Sequence, residues 1–183
     1  NTLTTVYAYD GDDRQVWVRN PKGYWTYSGY DALGRLTQKI EDVDETYGIN
    51  RVTDYQYDRL GRLVTLIAEN SSTGNQTTVY TYDLGDRVVD IKYPDGDSVA
   101  YAYGTIGTVT QRIDQASVTT SYTYDKLGRL TQKYRLGQSG TDIREVYAYD
   151  ARGLMTTAKK GDASPYTSIS SDTLSYNALG ALT

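Results

Sequence analysis

One nine-residue phrase constrains this chain more than anything else in it. Residues 122–130 read YTYDKLGRL, and the chain keeps rewriting them. YQYDRLGRL spans 55–63, SGYDALGRL 28–36, YTYDLGDRV 80–88, YAYGTIGTV 101–109, YAYDARGLM 147–155 and LSYNALGAL 174–182, while YAYDGDDRQV begins at Tyr7. The Asp position, held by Gly104 and Asn177 in two copies, falls at 10, 31, 58, 83, 104, 125, 150 and 177, at intervals of 21, 27, 25, 21, 21, 25 and 27. Self-similarity at this period marks a repeat architecture, in which each unit buries its faces against its neighbours.

The residues of one copy specify a β-hairpin. Tyr-x-Tyr has a period of two, so both rings point to one face of a strand. Asp-x-x-Gly suits a type I turn, with Asp bonding back to the turn backbone and Gly in the left-handed region. That places Asp125 opposite Arg129 and Tyr124 opposite Leu130, so an ion pair sits beside an aromatic–aliphatic pair. Where Asp becomes Gly104 the Arg position is Thr108, and where it becomes Asn177 it is Ala181, so charge leaves both sides together. Asp150 faces Leu154, with Arg152 nearby. The fourth copy has one residue fewer between Asp83 and Gly85, which predicts a different register there. Asp and Arg as merely turn-forming, solvated residues is the alternative reading.

A second turn closes each repeat. Asn20-Pro21-Lys22-Gly23 and Pro94-Asp95-Gly96 are of this kind, and the longer copies place their extra residues there, at 41–50, 69–76, 136–142 and 160–165. These Gly-, Ser-, Asn- and Asp-rich stretches read as surface loops. Helix signals are weak, and Gly61 with the β-branched run after it favours a strand. The expected fold is all-β: tandem hairpins of about sixteen short strands in one continuous antiparallel sheet. Residues 1–183 read as a single array with no separate second domain. The abrupt first and last copies suggest a piece of a longer chain, or end strands that pair with neighbouring molecules.

Composition narrows the functional classes. With 20 Tyr, 2 Trp and no Phe, the aromatic surface is large and polar-tipped, which fits a sheet whose faces are only partly dry. A net charge of −4 without a basic cluster argues against nucleic acid. There is no His and no Cys, which removes imidazole-based catalysis, disulfides and the usual zinc ligands. No apolar run is long enough for a membrane-spanning helix, and no signal peptide is present in these residues. No cofactor and no catalytic step are expected. Asp10-Gly11-Asp12-Asp13 and Asp95-Gly96-Asp97 resemble pieces of a calcium loop but fit turns better. Asn70-Ser71-Ser72 and Asn75-Gln76-Thr77 match glycosylation acceptors and agree with a surface loop.

The motif resembles the YD-repeat, or Rhs-repeat, family. The resemblance rests on Tyr30, Asp31, Gly34, Arg35 and Leu36; on Tyr55, Tyr57, Asp58, Gly61, Arg62 and Leu63; and on Tyr122, Tyr124, Asp125, Gly128, Arg129 and Leu130. It is degraded at Gly104, Leu154 and Asn177. Members include bacterial Rhs toxins, cocoon-forming components of insecticidal toxin complexes, wall-associated proteins and teneurins. The resemblance implies a β-strip that spirals into a hollow shell, at the cell surface or outside the cell. Its implied partners are neighbouring repeats of a longer chain and an enclosed toxin domain. No shell-closing core segment and no toxin domain is recognisable in these residues.

Two other functions remain open. Trp17 and Trp25, with Tyr24 and Tyr27, lie outside the repeated motif and could offer an aromatic platform for a glycan, or could pack between hairpins. End-strand pairing between copies could instead build a filament.

Overall fold

The computed structural model describes residues 4–43, 51–69, 74–137, 142–162, 168–177 and 182. Among them are fifteen strands and no helix. The chain divides into two compact units, Asn1–Gly96 and Asp97–Thr183.

The first unit contains β1 (Val6–Tyr9), β2 (Gln15–Arg19), β3 (Trp25–Tyr30), β4 (Leu36–Val43), β5 (Arg51–Tyr57), β6 (Leu63–Ala68), β7 (Gln76–Tyr82) and β8 (Val88–Lys92). Each pairs antiparallel with the next. The second unit contains β9 (Ser98–Tyr103), β10 (Val109–Ile113), β11 (Thr119–Tyr124), β12 (Leu130–Arg135), β13 (Ile143–Tyr149), β14 (Met155–Asp162) and β15 (Ser168–Thr173). It follows the same rule. Each unit is an antiparallel meander, the all-β hairpin fold that the period requires. Three segments expected as loops partly extend strands instead: β4 runs to Val43, β7 starts at Gln76 and β14 runs to Asp162. Residues 44–50, 70–73 and 163–167, the acceptor at Asn70 among them, lie outside the described residues, while Asn75 is exposed.

The alternation places the tyrosines as their period demands. In β5, β7, β9, β11 and β13 the residue between the two Tyr is exposed, while both rings are partly covered. Tyr57 faces Leu63 and Tyr124 faces Leu130, so these leucines share the tyrosine face. The dry interior is small. Among the described residues the buried side chains are Val99, Val118 and Thr120, all in the second unit.

Each of the seven motif hairpins among the described residues carries a one-residue bulge, a feature that a turn with a left-handed glycine permits. The register steps over the residue two beyond the Arg position: Val16, Thr37, Val64, Val89, Thr110, Thr131 and Thr156. A bulge bends its strand and increases the local right-handed twist. All seven residues are Val or Thr, and the Thr37 and Thr131 hydroxyls donate to the Gly29 and Thr123 carbonyls across the hairpin, at 3.2 and 3.0 Å.

Candidate functional site

The repeated turn is where the chemistry concentrates. In the Asp125 copy the Gly128 N–H donates to the Asp125 carbonyl at 3.0 Å, and the Asp125 N–H donates to the Arg129 carbonyl at 2.9 Å. The N–H groups of Leu127 and Arg129 both donate to Asp125 Oδ1, at 2.9 and 3.0 Å. One carboxylate oxygen therefore organises the turn backbone, and the other takes the Arg129 Nε–H at 2.6 Å. Asp10–Arg14, Asp31–Arg35, Asp58–Arg62 and Asp83–Arg87 repeat this ion pair at 2.7 Å. Gly34, Gly61 and Gly128 have φ of 79°, 84° and 78°, a region that L side chains enter only with strain.

The fourth copy does not change register, contrary to expectation. Asp86 stands at φ 59° where other copies have Gly, its N–H donates to the Asp83 carbonyl, and Arg87 still pairs with Asp83. Asp13 and Ser117 take the same place at φ 59°, because short polar side chains tolerate this conformation better than most. The Asp10–Asp13 stretch and Asp95-Gly96-Asp97 are turns of this family, Gly96 having φ 94°. The second turns use the same device with other residues: Asn20 Oδ1 accepts from the Lys22 and Tyr24 N–H groups, and Asp114 Oδ1 from those of Ala116 and Val118.

Four of these Arg also reach the next repeat. Arg14 Nη1 donates to the Asp31 carbonyl at 3.1 Å, Arg35 to Asp58 at 3.4 Å, Arg62 to Asp83 at 3.3 Å and Arg129 to Asp150 at 3.2 Å. The same guanidinium covers the second Tyr of that next repeat: Arg35 over Tyr57, Arg62 over Tyr82 and Arg129 over Tyr149, each 4.8 Å from the ring centre. The Tyr hydroxyl then reaches back. Tyr57, Tyr82 and Tyr149 donate to the carbonyls of Leu36, Leu63 and Leu130 at 2.8, 2.7 and 2.8 Å. The result is a reciprocal clasp: Arg reaches forward to a backbone carbonyl, and Tyr reaches backward to another.

Two copies vary the clasp. In the seventh, Arg152 replaces the missing Arg at 154: it pairs with Asp150 at 3.0 Å and donates forward to the Asn177 carbonyl at 2.9 Å. In the fifth, Gly104 and Thr108 supply neither charge, but Tyr124 still donates to the Val109 carbonyl at 2.9 Å. Buried Val118 and Thr120 lie in this part of the second unit.

The electrostatics follow from the contacts. The Asp31, Asp58 and Asp125 carboxyls are held below the ordinary carboxylate value first by the Arg backbone N–H, then by the guanidinium, against an opposing push from partial burial. Burial raises the Tyr57, Tyr82 and Tyr124 hydroxyls.

Trp17, Trp25 and Tyr27 form one cluster on β2 and β3. Trp17 and Trp25 meet edge to face, with centres 5.9 Å apart and planes at 87°, and Trp17 lies 4.8 Å from Tyr27. Two perpendicular rings cannot both lie flat on one sugar ring, so stacking would use one Trp face at a time. Arg19 sits 5.8 Å from the Trp25 ring, and Tyr24 is 40% exposed.

A second cluster had no repeated signal to reveal it. Glu145 on β13 faces Lys133 on β12 and Lys160 on β14. It pairs with them at 3.2 and 3.7 Å and accepts from the Tyr147 hydroxyl at 2.9 Å. Burial first, and this bond second, push the Tyr147 hydroxyl up to about 12.

Comparisons with known proteins agree with this geometry. A family model described as RHS Repeat matches residues 30–73. A tRNA nuclease WapA of Bacillus subtilis (strain 168) is 30% identical over 114 residues, covering 49% of this chain and 5% of that protein. A double-stranded DNA deaminase toxin A of Burkholderia cenocepacia (strain H111) is 26% identical over 162 residues, covering 84% of this chain and 11% of that protein. The chain therefore spans about one-twentieth to one-ninth of these relatives. The crystal structure of TcdB2-TccC3-Cdc42 superposes with a TM-score of 0.76 at 19% identity, over 95% of this chain and 10% of that one. At that identity the likeness establishes the fold. The family match places an RHS repeat at residues 30–73, and the other copies resemble it in their motif, hairpin and fold.

Proposed function

We propose that this chain is a non-catalytic segment of an RHS-repeat shell, outside the cell or at its surface, that encloses or displays a toxic or adhesive domain of a longer polypeptide. The clasp carries the reading. Its residues recur at joint after joint and spend their polar groups on holding one hairpin to the next. The relatives fit a division of labour: one is named a tRNA nuclease and another a double-stranded DNA deaminase toxin, and this chain matches only a small part of each. The eight copies are one array in this reading, because the 21-residue spacing from Asp83 to Gly104 runs through the division between the two units. The motif residues at Asp31, Arg35, Tyr57, Asp58, Arg62, Tyr82, Asp125 and Arg129 are its structural site, and neighbouring repeats are their partners.

The test uses the longer polypeptide in which the segment occurs. Loosening two joints with Arg62→Ala and Arg129→Ala should make the associated domain cleavable by an added protease at concentrations that leave the unaltered protein intact. Equal resistance after removal of residues 1–183 would overturn the reading.

A further inference from the structure

The Glu145 cluster leaves positive charge uncompensated. Glu145 on β13 stands between Lys133 on β12 and Lys160 on β14, and its side chain is only 18% exposed. One carboxylate oxygen takes Lys133 and the Tyr147 hydroxyl, and the other takes Lys160. Both acceptor atoms are therefore engaged, but the cations are not exhausted. Each ammonium carries three donors, and one carboxylate cannot occupy them all. Arg135 lies two residues beyond Lys133 on β12, so it projects to the same face. It is exposed, and its guanidinium has no hydrogen bond or ion pair among the described residues.

These groups surround a cavity of about 120 Å³, lined by Lys133, Arg135, Ile143, Glu145 and Lys160. Three cations against one carboxylate leave it two positive charges, in a chain whose net charge is −4. No basic run in the sequence announces this, because the cations come from β12 and β14 and meet only across β13. A second depression of about 210 Å³ adjoins the first, sharing Glu145 and Lys160 and adding Tyr147 and Asp172. Asp172 is exposed on β15, so the positive side of the cluster is the β12 side.

We propose that this cavity binds a phosphate group, as the free anion or as a monoester. Charge selects the class. A phosphate group carries about −1.5 to −2 near neutral pH, which matches the two uncompensated charges, whereas a single carboxylate would leave one of them. Size agrees, because the cavity is well below the roughly 300–1,000 Å³ of sites for larger organic ligands. So does donor chemistry: Arg135 offers a planar fork, and the two lysines offer point charges on either side of it, a combination suited to several phosphate oxygens at once. The adjoining depression leaves room for the alcohol part of an ester. The site uses neither the clasp nor an enclosed domain, so it stands or falls separately from the shell reading.

Isothermal titration calorimetry of the full chain with inorganic phosphate at neutral pH tests it. The expected result is one saturable site with a Kd of about 1 mM or tighter, weakening as salt is added. Arg135→Gln should weaken it about tenfold. Its side chain is exposed, and an unchanged thermal midpoint confirms that the fold survives. Glu145→Gln removes the one repelling charge and frees both lysines, so it should tighten binding about threefold or more. A merely structural ion-pair cluster would show no such gain. Glycerol 1-phosphate as a second probe separates the two sources: tighter binding than inorganic phosphate assigns the site to an ester, and equal binding assigns it to the free anion. No saturable binding up to ~50 mM overturns the proposal. So does binding that Arg135→Gln leaves unchanged, or that Glu145→Gln weakens.

Discussion

Arg62 lies 4.8 Å from the centre of the Tyr82 ring, although the two belong to different repeats. The same guanidinium pairs with Asp58 behind it and donates to the Asp83 carbonyl ahead of it. One side chain thus finishes its own turn and fixes the entry to the next. Arg and Lys differ at such a place, because only the planar fork can serve both repeats and still cover a ring. Arg62→Lys should therefore lower the denaturation midpoint nearly as far as Arg62→Ala. Equal stability of the Lys variant and the parent would show that charge alone suffices.

The return half of the clasp is separable. Tyr82→Phe keeps the ring under Arg62 and removes only the hydroxyl bond to the Leu63 carbonyl, 2.7 Å long. A hydrogen bond of this kind contributes about 0.5–1.5 kcal/mol net, and urea unfolding should report a loss in that range. The Tyr101 hydroxyl makes no bond of this type among the described residues, so Tyr101→Phe serves as the reference and should be close to silent.

Backbone conformation sets the tolerance at the turn. A Cβ added at Gly61 would meet only Arg35 Nη1, at 3.8 Å, so space is not the obstacle; the φ of 84° is. Gly61→Val should cost about 1–3 kcal/mol. Gly61→Asp should cost clearly less, since Asp13 and Asp86 already occupy this position at φ 59°. Identical losses for Val and Asp would refute the conformational account.

The sequence made the hairpin legible because its signals are local. Asp, with Gly three and Arg four residues after it, sets the turn, and Tyr-x-Tyr sets the face. The joint between repeats was less legible, because its two halves are separated by a whole repeat and half of its contacts end on backbone carbonyls, which no residue type announces. A bulge follows from the turn glycine, but its place, at the Val or Thr two residues beyond the Arg position, was not legible, because a β-branched residue in a strand is ordinary. The fourth copy misled for a related reason: Gly85 looked like the turn glycine, whereas Asp86 holds that conformation. The Glu145 cluster occurs in one copy only, so periodicity could not reveal it.

Acid should loosen the turns in a predictable window. Asp31, Asp58, Asp83, Asp125 and Asp150 all titrate below the ordinary value of 3.8. A depressed native value means that the carboxylate form is favoured by folding, so its contribution is complete above the ordinary value and drains away as pH falls through the native ones. Thermal stability should be flat in this respect near neutrality and fall below about pH 4. Asp58→Asn should lower stability at neutral pH and flatten the acid limb. An acid limb as steep as the parent's would count against the assignment.

At the alkaline end the sign reverses. Tyr147 is raised from 10.0 to about 12 by burial and by its bond to Glu145. A raised native value means that folding favours the neutral phenol. The contribution is therefore complete below about pH 10 and is lost as pH rises through about 12. Near-ultraviolet absorbance should show one tyrosine ionising well after the exposed ones. Glu145→Gln removes the negative charge beside the phenol and should bring that late step down, while Lys133 and Lys160 lose their shared partner. Tyr147→Phe should remove the late step outright and leave the rest of the titration in place. A late step that survives Tyr147→Phe would assign it to another buried ring and break the link to Glu145.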